Sequence, residues 1–313
     1  MANFLGLDIG GTHIRAGLMA DEGKIIDFYK IKTEANRGIE GVIDRIVNII
    51  DILRSKNPNA PISGIGIGIA GIIRSKKGIV YFSPNLPGWK NVELYKVLKE
   101  RLKIPIWIEN DTNLIALGEK LVGAGRDIDN FILLTLGTGV GGGIIYKGRL
   151  FTGETSAAEI GHLKIEPGGQ LCLCGRRGCL ETFASATWLI RRARKRLDAG
   201  MPSILDKSGL NAEDIFLAAK AGDILAEYLF WQAGWALGIA IANMLNVLGF
   251  NTVIIGGGVS NSWGAFIGTL KYTLMSELLS ISYEEVRILK SNLGDMAGIY
   301  GACYLAKQNL SGD

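Results

Sequence analysis

Proline is scarce in this chain: seven residues in 313, against forty-three glycines. With so little proline and no linker-like composition anywhere, the glycines are read as tight turns and close backbone approaches, not as a flexible tether. Charge is sparse as well. Charged residues make up 20% and hydrophobic residues 48%, which excludes a disordered chain and leaves enough apolar material for one large or two moderate domains. The formal net charge of +4 gives little reason to expect nucleic acid. The most basic stretch, Arg191-Arg192-Ala193-Arg194-Lys195-Arg196, is read as the solvated face of a helix. No charge at all occurs from Tyr228 to Leu270. That segment nevertheless carries Gln232, Asn243 and Asn246 and is interrupted by Gly234, Gly238 and Gly249, so a buried central helix is expected and no membrane span. The N-terminus lacks a basic n-region and meets Asp8 within its first strand, so no secretory signal is read and a cytoplasmic location is expected.

Cysteine is limited to four residues, and three of them fall in Cys172-Leu173-Cys174-Gly175-Arg176-Arg177-Gly178-Cys179. His162 lies just upstream, and Glu159 and Glu181 flank the group. Cys3His is a ligand set for tetrahedral structural Zn2+, whose softness matches thiolate and imidazole. The alternative is a disulfide, but Cys172 and Cys174 are too close to bridge comfortably and only Cys303 lies elsewhere. A metal-pinned loop would also hold Glu159 and Glu181 near each other, which suits a site that reads hydroxyl groups.

Short apolar runs and turns predict strands at 4–8, 13–19 and 24–31, a helix at 39–52, a strand at 63–70, a helix at 92–102, a strand at 105–109 and a helix at 114–122. The opening motif then returns. Gly10-Gly11-Thr12 and Gly137-Thr138-Gly139 each sit in a strand–turn–strand unit, which reads as an internal duplication. The fold expected is α/β with two domains and a cleft between them. The smaller domain would span 1–112 and the larger, with the cysteine loop, 113–297; the last helix, about 298–311, would pack back on the smaller one.

Gly137-Thr138-Gly139-Val140-Gly141-Gly142 matches G-x-G-x-x-G, but a second strand follows instead of the helix that a dinucleotide fold requires. Two glycine–threonine hairpins still suit phosphate, because successive backbone N–H groups can turn inward as an anion nest. Plain tight hairpins explain them equally well. A third run, Gly256-Gly257-Gly258, follows a strand and leads into a helix near Ser262, which shifts the balance toward nucleotide. At the end of the 105–109 strand, Asn110-Asp111-Thr112 offers two readings: Asp111 or Thr112 caps the next helix, or Asp111 faces the crevice as a catalytic base.

Together, Leu7-Asp8-Ile9-Gly10-Gly11-Thr12, Pro84-Asn85-Leu86-Pro87-Gly88-Trp89, Asn110-Asp111, Leu136-Gly137-Thr138-Gly139-Val140-Gly141, Glu159-Ile160-Gly161-His162 and the Cys172–Glu181 loop resemble the ROK family (repressors, open reading frames and sugar kinases) of the actin/hexokinase-like superfold. Within it, Glu181-Thr182-Phe183-Ala184-Ser185 is most similar to bacterial glucokinases. The resemblance implies transfer of the γ-phosphate of Mg2+·ATP to the 6-hydroxyl of a hexose, glucose first, with N-acetylhexosamines, mannose or fructose as alternatives. It implies Asp111 as general base. Asn110, Glu159, His162 and Glu181 would bond the other sugar hydroxyls, with His162 also on Zn2+ beside Cys172, Cys174 and Cys179. Gly10, Gly11, Thr12, Gly137, Thr138 and Gly139 would hold the phosphates, Asp8 would reach Mg2+ through water, and Gly256, Gly257 and Gly258 would lie against adenosine. Closure of the cleft would exclude water. A homodimer or higher homo-oligomer is implied too. Repressors of the family carry a helix-turn-helix before the kinase-like part; with a first strand starting at Asn3, no such module is expected here.

Overall fold

Alternation of isoleucine and glycine in one strand sets the layering of the first part of the molecule. The computed structural model describes residues 2–279 and 281–311. By contact the chain forms two compact units, Met1–Asp129 with Gly143–Ala157 and Leu293–Asp313, and Asn130–Gly142 with Ala158–Asn292. In chain order the first unit opens with β1 (Asn3–Ile9), β2 (His13–Ala20), β3 (Ile25–Lys32), α1 (Gly38–Lys56) and β4 (Ile62–Ile69). It continues with β5 (Ile72–Arg74), β6 (Ile79–Phe82), β7 (Lys90–Val92), α2 (Leu94–Leu102), β8 (Ile106–Asn110) and α3 (Asp111–Val122). Next come β9 (Phe131–Leu136), β10 (Val140–Tyr146), β11 (Arg149–Leu150), α4 (Glu181–Ala184), α5 (Ala186–Asp198), α6 (Ala212–Lys220) and α7 (Ile224–Leu248). The chain ends with β12 (Thr252–Gly256), α8 (Trp263–Glu277), β13 (Arg287–Lys290) and α9 (Met296–Ser311).

The main sheet of the first unit runs β3-β2-β1-β4-β8, antiparallel through β3, β2 and β1 and parallel through β1, β4 and β8. Side chains alternate across a strand, so β1 sends Leu5, Leu7 and Ile9 to the core that holds α1, while Phe4 packs with α9 through Ile299, Cys303 and Ala306. Asp8 continues the α9 face to the end of the strand. In β4, Ile65, Ile67 and Ile69 join the α1 core, and Gly64, Gly66 and Gly68 face the other way. This glycine stripe lets α9 lie flush on the sheet: a Cβ at Gly66 would stand 1.8 Å from the backbone oxygen of Ala302. Gly66→Ala is therefore expected to destabilise the protein by about 3 kcal/mol, the upper end of overpacking costs, because backbone cannot step aside as a side chain can. An unchanged urea midpoint would mean that α9 does not rest on β4.

The smaller sheet β5-β6-β7 is antiparallel and lies in a region where no strands were expected, around the polar 83–89 loop. Its strands are three or four residues long, too short for a period of two to declare itself. The remainder of β10 forms a hairpin with β11 (Ile145↔Leu150) in this unit.

In the second unit β9 pairs parallel with β12, and β12 parallel with β13. The uncharged helix α7 is long and apolar enough to cross a membrane, and 61% of its most apolar stretch is buried within the protein against neighbours that include α8. Helix α5 carries the basic run, and Arg191, Arg194 and Lys195 are exposed as expected. Arg192 is not: its guanidinium lies over the Phe183 ring at 5.1 Å and donates to Gln232, and burial, with Arg196 nearby, lowers its pKa to about 10. Successive helical residues are rotated by about 100°, so an unbroken basic run covers more than the solvated face and Arg192 falls beside the buried Ala193.

Candidate active site

The parallel strands of the first unit end together, and their carboxyl ends carry the acids. Asn110 closes β8 and caps α3: its Oδ1 accepts the N–H groups of Thr112 (2.9 Å) and Asn113 (3.1 Å), while its Nδ2 donates to the Gly71 carbonyl at 2.9 Å. The cap is thus Asn110, neither Asp111 nor Thr112. Because Asn110 satisfies the helix start, Asp111 is not needed as the cap; its Oδ1 accepts the Thr112 N–H at 2.9 Å. Burial, and then the charge of Asp8, raise the Asp111 carboxyl to about 7. Asn110 in turn has one side-chain N–H left to offer a ligand.

Two further pieces of this half were not legible in the sequence. Glu109, 5% exposed, accepts the Asn110 N–H at 2.7 Å and the Asn113 Nδ2 at 3.0 Å, bracing the strand–helix junction. Arg15 on β2 bonds Asp8 at 3.1 Å and Asp295 at 3.0 Å. Burial still raises the Asp8 carboxyl, with Arg15 opposing. The neighbouring hairpin Gly10-Gly11-Thr12 is pinned by Gly10 N–H to His13 O at 3.0 Å and by Thr33, whose hydroxyl donates to Gly10 O at 2.6 Å. Spacing of i, i+7 on adjacent strands gives no hint that Arg15 and Asp8 meet; the β1–β2 register, which pairs them, does.

In the second unit the ends of β9 and β12 are neighbours, and each is followed by a glycine run. Gly256 pairs with Thr135, and Gly257, at φ +85°, lies against the backbone of Leu136, so Gly137-Thr138-Gly139 and Gly256-Gly257-Gly258 adjoin. This is the crevice position of ligands in α/β sheets. Next to it stand the acids and the cysteines. Glu159 and His162 sit on one short turn, with His162 N–H donating to Glu159 O at 3.0 Å. Burial pushes the Glu159 carboxyl up, and His162 partly offsets this. Glu181 begins α4 immediately beyond the cysteine loop, its Oε2 accepting the Val140 N–H at 3.2 Å.

The donor atoms of His162, Cys172, Cys174 and Cys179 all lie within 4.8 Å of one another. Cys174 and Cys179 sulfurs are 3.7 Å apart, and Cys172 Sγ is 4.0 Å from His162 Nδ1. A tetrahedron with Zn–S bonds of about 2.3 Å requires a sulfur–sulfur separation of about 3.8 Å, so the four groups fit zinc. A disulfide needs about 2.05 Å, and all four cysteines are free. Burial pushes the Cys172 and Cys179 thiols up; a divalent cation is the natural agent to draw their protons off.

Comparison with known proteins gives the family and the fold. The ROK family profile matches residues 4–309. A glucokinase of Thermotoga maritima is 38% identical over 314 residues, covering 98% of both chains. The crystal structure of a ROK glucokinase from Streptomyces griseus, in complex with glucose and AMPPNP, superposes with a TM-score of 0.82 at 33% identity and covers 98% of this chain and all of that one. A xylose repressor of Caldicellulosiruptor bescii is 30% identical over 96% of this chain and 77% of its own length. The fold is the two-domain α/β fold of the actin/hexokinase-like group, and the chain belongs to the ROK family.

Proposed function

We propose that this protein is an ATP-dependent hexose kinase that transfers the γ-phosphate to the 6-hydroxyl of glucose. The observation that carries the reading is Asp111, an acid at a strand tip, relieved of capping by Asn110 and raised to about 7. A base near neutrality is matched to taking a hydroxyl proton as the phosphoryl group arrives, and a regulator has no use for one. The sugar kinases among the relatives support the same chemistry, and the complex with glucose and AMPPNP supports these two substrates.

In this reading Asn110 donates its remaining N–H to the sugar, and Glu159 and Glu181 accept hydroxyls. His162 Nδ1 and the three sulfurs would hold Zn2+, leaving Nε2 to meet the hexose. Zinc here supplies a fixed loop geometry, not chemistry. The Gly10–Thr12 and Gly137–Gly139 turns present N–H groups and threonine hydroxyls to the phosphates, and Gly256–Gly258 leaves room for adenosine. Asp8, braced by Arg15, would hold Mg2+ through its water shell, and the cation would spread the charge developing on the transferred group.

A carboxylate that accepts a hydroxyl rejects an analogue lacking it, because the desolvated oxygen is left unpaired. Glucose is therefore expected to show the highest kcat/KM among glucose, mannose, fructose, N-acetylglucosamine and N-acetylmannosamine in a coupled ADP assay. A tenfold preference for an acetamido sugar would overturn glucose and keep the kinase; no turnover of any hexose, with tight hexose binding, would favour a regulator like the xylose repressors.

A further inference from the structure

Glu181 has its two oxygens on two different structures. Oε1 lies 3.5 Å from Cys172 Sγ, within the metal-ligand cluster, while Oε2 accepts the N–H of Val140, forty-one residues away, at 3.2 Å. Val140 directly follows the Gly137–Gly139 turn. The first residue of α5, two positions beyond the end of α4, grips the turn at its other end, since Ala186 N–H donates to Gly137 O at 2.9 Å. Within the turn, Gly137 N–H reaches Gly139 O at 2.9 Å. Gly139 is pressed so closely on the carboxylate that a Cβ there would stand 2.5 Å from Glu181 Oε2. On the far side Gly161, between Glu159 and His162, packs on the carbonyl of the same residue: a Cβ would be 2.0 Å from Val140 O.

We infer that Glu181 is a positioning residue for the Gly137–Gly139 turn, fastening the cysteine–histidine cluster to it, so that an event at the cluster end of the carboxylate changes the affinity of the turn for nucleotide phosphate. Val140 N–H and Gly137 O are the two backbone groups that set the aim of the turn, and residues 181–186 hold both. A hexose hydroxyl bonded to Oε1 draws on the carboxylate whose other oxygen fixes Val140. Saccharide occupancy is thereby felt at the phosphate turn without a moving loop. The inference rests on the nucleotide and hexose assignments proposed above.

The test is binding of Mg·AMPPNP to the full chain by calorimetry in the absence of sugar, with hydrogen exchange at the Val140 amide and metal content recorded alongside. Glu181→Ala is expected to weaken Mg·AMPPNP roughly tenfold, the scale of one charge-assisted hydrogen bond, and to speed exchange at Val140. Glu181→Gln, which keeps an acceptor for Val140, is expected to recover most of that loss. Glu277→Gln, at an exposed carboxylate at the end of α8, is expected to leave nucleotide affinity within about twofold, well under the shift a lost charged hydrogen bond produces. Equal affinity in wild type and Glu181→Ala, or loss in Glu181→Gln as deep as in Glu181→Ala, would overturn the inference. If Glu181→Ala sheds its metal, the comparison passes to Glu181→Gln and to Val140 exchange in wild type with and without glucose: unaltered exchange on adding glucose overturns it. A protein inactive on every hexose that still shows the Glu181 dependence removes the kinase reading alone.

Discussion

Asp111→Asn is expected to lower kcat for hexose phosphorylation roughly a thousandfold while leaving hexose affinity within a few fold, because general-base help is worth about 10^2–10^4 and the sugar contacts are otherwise kept. Asparagine retains the oxygen that accepts the Thr112 N–H, so the start of α3 is preserved and the lost function is proton acceptance alone. In the wild type the acid limb of kcat/KM, which reports the free enzyme, is expected near pH 7, with activity rising as pH rises because the base must be ionised. Stability runs the opposite way. The folded protein holds a proton on Asp111 that the unfolded chain releases near pH 4, so between about 4 and 7 stability falls as pH rises. Asp111→Asn should match wild type in unfolding midpoint near pH 4 and exceed it above pH 7, by roughly 2–4 kcal/mol if about one and a half to three pKa units are relieved. Full turnover in the variant would remove Asp111 as base; identical stability profiles would remove its raised pKa.

The second large effect concerns the metal. The purified protein is expected to carry about one zinc per chain, and Cys179→Ser to lose it together with measurable hexose binding. Cys179 is fully buried, and its carbonyl accepts both the N–H and the hydroxyl of Thr182 at 3.0 and 2.7 Å, so it joins the loop to the start of α4. Structural zinc contributes about 10 kcal/mol or more to small metal-stapled folds, far beyond what exposed Leu171 and Leu173 supply to this loop by burial. Without it, the turn bearing Glu159 and His162 loses its partner, since Leu180 N–H is bonded to Leu163 O at 2.9 Å across the loop. Metal analysis and hexose calorimetry on wild type and variant check this. A metal-free chain with unaltered glucose affinity would refute it.

Linear spacing was enough to single out the four residues that folding gathers into one cysteine–histidine cluster, the three glycine runs, the strand that leads to Asn110 and the uncharged central helix. Each of these is written in residues adjacent in the chain or repeating at the period of its own element. The isoleucine–glycine alternation of β4 likewise announces one face for side chains and one for a close neighbour. What only folding decided is which distant group each polar atom serves. Asn110 spends its amide on α3 and Gly71, and so frees Asp111; Arg15 meets Asp8 through strand register; Glu181 reaches back forty-one residues to Val140; Arg192 turns inward from an otherwise solvated run. Which strands α9 rests on belongs here too, since its small-residue pattern fits any flat face, and the contact with Gly66 picks out β4. The reason is common to all of them: periodicity records which side of an element is apolar, whereas a hydrogen bond between remote segments depends on where the backbone carries them, and no local pattern holds that coordinate.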